Sequence, residues 1–152
     1  LGPYNFGFQD NPEMLDKVEH FPYQDGLLIS YWDTSQLDNN VNTHPGEGLI
    51  LPIDAHPEPM TMPAGGFWTS RVQGYDSTFT IDPTDAITLH RNSVESVHSS
   101  LPGVRVFNDN NSYWNVNTQT AGVKNTHTGT EIWIKSISAH GNLMQIQVSP
   151  AR

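Results

Sequence analysis

Sixteen carboxylates and seven histidines are the side chains of this 152-residue chain best suited to hold a metal or move a proton. They are densest between Asp33 and His56. Asp38, Asn40 and Asn42 place side-chain oxygens at alternate positions, the spacing that opens a calcium loop. The loop then departs from that pattern. Thr43 stands where the sharp turn needs glycine, and Leu49 where a bidentate glutamate would close the shell. Asp109 and Asn111 make a shorter echo. Calcium at Asp38, Asn40 and Asn42 is therefore one expectation. The other is that these side chains satisfy turn backbones. His44, Glu47, Asp54 and His56 have the chemistry of zinc ligands if two strands bring them together. Against that, Pro45-Gly46 and Pro57 signal turns, where imidazoles pack or hydrogen-bond at strand ends.

No catalytic motif accompanies these groups. A zinc-protease helix needs His-Glu-x-x-His, which puts two imidazoles on one helix face. The residues after the seven histidines are Phe21, Pro45, Pro57, Arg91, Ser99, Thr128 and Gly141, so that motif is absent. A Gly-x-Ser-x-Gly elbow, a phosphate loop and a dinucleotide-binding glycine turn are absent too. Without cysteine there is no thiol nucleophile, disulfide or thiolate metal site. Asp76, Asp82 and Asp85 surround Pro83 and read as turn residues, although paired carboxylates facing a cleft could cleave glycosides. Trp32, Trp68, Trp114 and Trp133 could form a sugar-stacking platform or lie in the core.

The elements that must position these groups read as strands. Aromatic residues make up 10% of the chain and charged residues 15%, a composition for a folded core rather than for disorder. A net charge of −9 repels phosphate backbones and anionic membrane surfaces. No apolar run is long enough to span a bilayer as a helix. Residues 26–33 form an apolar run expected as a buried strand, and residues 49–55 another, at an edge or bulged because Pro52 has no donor. Shorter strands are predicted at residues 69–73, 78–81, 86–90 and 104–107. The clearest pair is 131–138 with 143–148, an antiparallel hairpin in which Met144, Ile146 and Val148 face the core and Gln145 and Gln147 face water. Residues 108–130 read mostly as loop. A short helix is expected at residues 11–18, where Asn11 caps and Pro12 takes the first helical position. Together these predict a single all-β domain over residues 1–152, an antiparallel β-sandwich with little helix. The opening Leu1-Gly2-Pro3, without Met, reads as an excised segment of a longer protein.

One set of motifs is more particular. Phe21-Pro22-Tyr23-Gln24-Asp25-Gly26-Leu27-Leu28-Ile29-Ser30-Tyr31-Trp32-Asp33, then Asp38-Asn39, His44-Pro45-Gly46-Glu47-Gly48 and Asp54-Ala55-His56-Pro57, resembles the immune inhibitor A family of secreted bacterial metalloproteases, peptidase family M6. The later stretches Arg71-Val72-Gln73-Gly74-Tyr75-Asp76-Ser77-Thr78-Phe79 and Asp85-Ala86-Ile87-Thr88-Leu89-His90 are similar to the same family. The resemblance covers residues 4 to 148 and implies the segment that follows the catalytic domain. It implies zinc in that upstream catalytic domain, with no zinc ligand or general base carried onto this chain. It further implies secretion, and as partners the catalytic domain of the same polypeptide and the protein substrates of the protease. The alternative is an independent β-sandwich module that binds carbohydrate or protein.

Overall fold

β-Branched and aromatic residues build strands on a pleated, half-buried surface, and Gly, Pro and Asn stop them. The computed structural model of the chain describes residues 21–40, 42–58, 74–91, 94–114, 122–124, 128–138 and 142–152. Their strands are β1 (Ile29–Trp32), β2 (Ile50–Ile53), β3 (Ile87–Arg91), β4 (Val94–His98), β5 (Val106–Asn108), β6 (Tyr113–Trp114), β7 (Gly122–Val123), β8 (Thr130–Ile137) and β9 (Met144–Pro150). Helical structure among the described residues is limited to a 3-10 turn at Gly74–Asp76. Every pairing is antiparallel: β1 with β2, β3 with β4, β6 with β7, and a three-stranded sheet in the order β5-β8-β9. The expected all-β fold is what forms. The helix expected at residues 11–18 and the strand expected at 69–73 lie outside the described residues.

The core sits where the sheets meet. Phe79 and Ile134 are fully buried, joined by Leu51, Ile53, Ala55, Phe107, Tyr113 and Val123. Phe79 stands edge-on to Phe107 and Tyr113, with ring centroids at 5.7 and 5.6 Å, while Phe107 and Tyr113 stack at 5.4 Å. These are the preferred aromatic geometries. Ile29 and Tyr31 of β1, Ile132 and Ile137 of β8 and Met144 of β9 close over the same cluster. A smaller cluster gathers Tyr75, Ile87 and Leu89 against Phe21. The strand expected at residues 78–81 survives only as a bridge pairing Leu27 with Phe79.

Two expectations about burial are corrected. The strand read as wholly buried is half-buried: β1 and β2 turn Ile29, Tyr31, Leu51 and Ile53 inward and Ser30, Trp32, Ile50 and Pro52 outward. Pro52 tolerates its lost donor because, among the described residues, β2 is an edge strand paired with β1 alone. Ile146, expected in the core, is 44% exposed, and Val148 is 61% exposed. Both lie on β9, the outer strand of its sheet, opposite Ile134 and Ile132 of β8. β8 covers the core, and among the described residues β9 reaches it through Met144. Gln145 and Gln147 are exposed as expected.

Candidate functional site

The stretch from Asp33 to His56 folds into turns closed by its own side chains. Asp33 Oδ1 accepts the Ser35 backbone N–H at 2.9 Å and the Ser35 hydroxyl at 2.6 Å. These bonds, the hydroxyl first, hold its carboxyl below the usual carboxylate range. Asp38 Oδ1 accepts the Asn40 N–H at 2.7 Å and faces His44 Nε2 at 2.8 Å. Asn40 Oδ1 accepts the Asn42 N–H at 3.2 Å. Asn39 Oδ1 accepts the Ile50 N–H at 2.8 Å and so ties the turn to β2. The bonds of Asp33, Asp38 and Asn40 to the N–H two residues ahead are Asx turns, in which a short side chain imitates a backbone acceptor. The oxygens of Asp38 and Asn40 thus already serve backbone donors, on an exposed surface. Among the described residues, no three His, Asp or Glu side chains gather as a metal site.

His44 carries two acceptors. Its Nδ1 lies 2.7 Å from the Glu47 carbonyl and its Nε2 faces the Asp38 carboxylate. Only the doubly protonated ring donates to both. The Glu47 carbonyl, then Asp38, pushes its pKa up. Asp38 is held low by the Asn40 N–H first and His44 second. The next residues explain the His-Pro-Gly-Glu-Gly motif. Gly46 has φ of 76°, and a Cβ there would lie 2.7 Å from the Trp114 ring. Glycine is needed both for the left-handed backbone and for the contact with β6. The Gly46 carbonyl accepts the Lys124 N–H at 3.0 Å, which fastens the turn beside β7.

The second group is interior. Asp54 and Asp76 are buried, at 6% and 4% exposure. Asp54 Oδ1 accepts the His56 backbone N–H at 2.9 Å. Burial first, and the Asp76 charge second, push Asp54 up to about 7. Burial pushes Asp76 up to about 6. Between these carboxylates the His56 ring spans two carbonyls, Nδ1 to Asp76 O at 2.7 Å and Nε2 to Pro102 O at 3.0 Å. That ring ties the end of β2, the 3-10 turn and the segment before β5. Asp54 and His56 are spent on this tie and His44 and Glu47 on the exposed turn, so the four possible zinc ligands do not assemble.

The remaining candidates divide similarly. Asp109 is buried, and its Oδ2 accepts the Gly129 N–H at 2.6 Å and the Thr128 hydroxyl at 3.0 Å, which closes the approach to β8. Asp85 exchanges bonds with Gln24, and the Asp82 N–H donates to Thr80 Oγ1. Trp133 Nε1 donates to Glu131 at 2.6 Å, with Lys135 Nζ 4.7 Å from its ring centroid. Trp114 lies under Gly46, with Lys124 Nζ 5.5 Å from its centroid. Trp32 is 67% exposed. Trp68 lies outside the described residues. Sequence reasoning missed the His56 tie and the Gly46–Trp114 contact. The signal for the second was the Pro-Gly pair, and for the first there was none short of the fold itself.

A family model described as "Immune inhibitor A-like metallopeptidase, VEG domain" matches residues 7–146. Immune inhibitor A of Bacillus thuringiensis subsp. alesti is 32% identical over 107 residues, covering 66% of this chain and 15% of that protein. The pre-pro-metalloprotease PrtV of Vibrio cholerae serotype O1 (strain M66-2) is 28% identical over 131 residues, covering 84% of this chain and 14% of that protein. The chain therefore spans about one-seventh of the length of the relatives it matches.

Proposed function

We propose a function from one premise: the chain belongs to the immune inhibitor A-like metallopeptidase family, whose VEG domain it matches. It is a non-catalytic accessory domain of a secreted zinc metalloprotease, and it supports the catalytic domain of the same polypeptide or presents protein substrate to it. The observation that carries this reading is where the family-like motifs end up. Asp38 and Asp54 close local turns, Asn39 ties its turn to β2, the His56 ring joins the Asp76 and Pro102 carbonyls, and Gly46 lets its turn pack on Trp114. Residues 1–152 act as one such domain. Zinc belongs to the catalytic domain elsewhere in the protease, because His-Glu-x-x-His does not occur in this chain. Secretion is supported by a relative named as a pre-pro-metalloprotease.

The test is an assay of the isolated chain on casein with added zinc. No cleavage is expected, and chelator-sensitive cleavage by a preparation free of other proteases overturns the reading. An independent carbohydrate-binding module is the second reading, and exposed Trp32 favours it. It needs further aromatic faces beside that ring. Trp114 and Trp133 are instead half-buried and engaged with Gly46, Lys124, Glu131 and Lys135.

A further inference from the structure

The outward side of the β1–β2 sheet is apolar. Trp32 stands directly opposite Ile50, and Ser30 opposite Pro52. Leu28, two residues before Ser30, is exposed as well. Trp32 is 67%, Ile50 44% and Leu28 43% exposed, and Pro52 is exposed. None of these five positions carries a charge, in a chain whose net charge is −9. Leaving such a set in water forgoes about 25 cal/mol for each Å² that a partner could cover. Apolar side chains gathered on one face of a sheet are the kind of surface that marks an interaction site. Tryptophan is also the residue most enriched among interface anchors.

We propose that this face is where the catalytic part of the same polypeptide docks; the proposal rests on the accessory-domain reading above. The occupant follows from size and chemistry. About six-sevenths of the length of the matched relatives lies outside the span of this chain. A part joined covalently meets the face at an effective concentration in the millimolar range, so a small apolar patch suffices to hold it. A sugar would stack on consecutive aromatic rings, whereas here the Trp32 indole stands opposite Ile50, with Pro52 the next outward residue of β2. Aliphatic neighbours fit the apolar surface of a protein.

The test uses the full-length protease carrying Trp32→Gln with Ile50→Gln. Its control is Val97→Gln, at a valine on β4 that is 74% exposed. The double variant is expected to be cut by trypsin between the two parts about tenfold faster, which corresponds to about 1.4 kcal/mol of lost docking energy. The control and Trp32→Phe are expected to be cut at the wild-type rate. A double variant cut at the wild-type rate overturns the proposal. So does a full-length protein that sediments as a dimer and becomes monomeric on the double substitution, because the occupant is then a second copy. Deleting the whole domain separates this failure from failure of the underlying reading. If deletion leaves the stability and activity of the catalytic part unchanged, the accessory role falls. If deletion impairs them while the double variant does not, only the docking face falls.

Discussion

β1–β2 and β8–β9 are both antiparallel pairs with alternating side chains, yet they bury their residues differently. In β1–β2 the inward positions of the second strand are sealed, Leu51 at 8% and Ile53 at 1% exposure. In β8–β9 the inward position of the first strand, Ile134, is sealed at 0%, while its partner Ile146 is 44% exposed. Alternation assigns a side and does not assign a depth. Depth depends on what lies across from the strand. β2 lies over Phe79 and β7, whereas β9 runs along the margin of its sheet.

The largest expected effect tests that contrast directly. Ile134→Ala should cost about 2–5 kcal/mol, the range for emptying a sealed core position. Ile146→Ala should cost about 1 kcal/mol or less, as for a half-exposed side chain. Urea unfolding of both variants reads the difference. Equal losses would show that β9 is sealed in solution by something beyond the contacts described.

Next in size are the two left-handed glycines, Gly46 with φ of 76° and Gly129 with φ of 63°. Both pay the same backbone strain on gaining a Cβ, about 1–2 kcal/mol. At Gly129 the new methyl meets nothing within 4 Å, whereas at Gly46 it strikes the Trp114 ring. Gly46→Ala should therefore cost about 1–3 kcal/mol more than Gly129→Ala. A thermal melt in which the two variants coincide would remove the turn-to-β6 contact from the account.

The pH response compares the interior carboxylates with the exposed ones. Asp54 and Asp76 have values raised above their ordinary 3.8, to about 7 and about 6. In this pair the folded state holds protons that the unfolded state has already released. Their contribution is fully present below about pH 4 and is lost as pH rises through 6 and 7. Asp38 and Asp33 are lowered, so their contribution is lost as pH falls. The melting temperature of Asp54→Asn should therefore fall less than that of wild type between pH 5 and pH 8. Parallel curves would mean that Asp54 ionises normally.

The smallest expected effect is calcium binding at Asp38, Asn40 and Asn42, which we carry as a proposal with its own test. Calcium must compete with His44 for Asp38. At tenfold excess over its dissociation constant the ion would add about 1.4 kcal/mol, and Asp38→Ala would abolish the gain. Identical melting temperatures in calcium and in chelator assign these residues to turn chemistry alone.

The sequence made the fold class, β8, β9 and the strand character of β1 and β2 legible, because long alternating runs survive as signals. It did not make β4 legible, where Ser96 is buried and Val97 is 74% exposed, the reverse of the expected polarity. Nor did it reveal β6 and β7, two residues each, too short for any period. At the candidate site, the carboxylates and imidazoles were correctly singled out as chemically able groups. What they do was hidden, because the acceptors of His56 are carbonyls 20 and 46 positions away. Main-chain acceptors leave no trace in residue identity.

The Leu27–Phe79 bridge has a consequence for how the chain reaches this state. Its ends are 52 residues apart, and Phe79 in turn needs Phe107, Tyr113 and Ile134 around it. Little of the core is local, so closure entropy must be spent before the buried contacts repay it. During synthesis from the N-terminus, the inward side of β1–β2 lacks its full cover until Ile134 of β8 has emerged. A chain ending before residue 130 should therefore show little amide protection in hydrogen exchange, and in the cell it should need a holdase or rapid onward transport to escape aggregation.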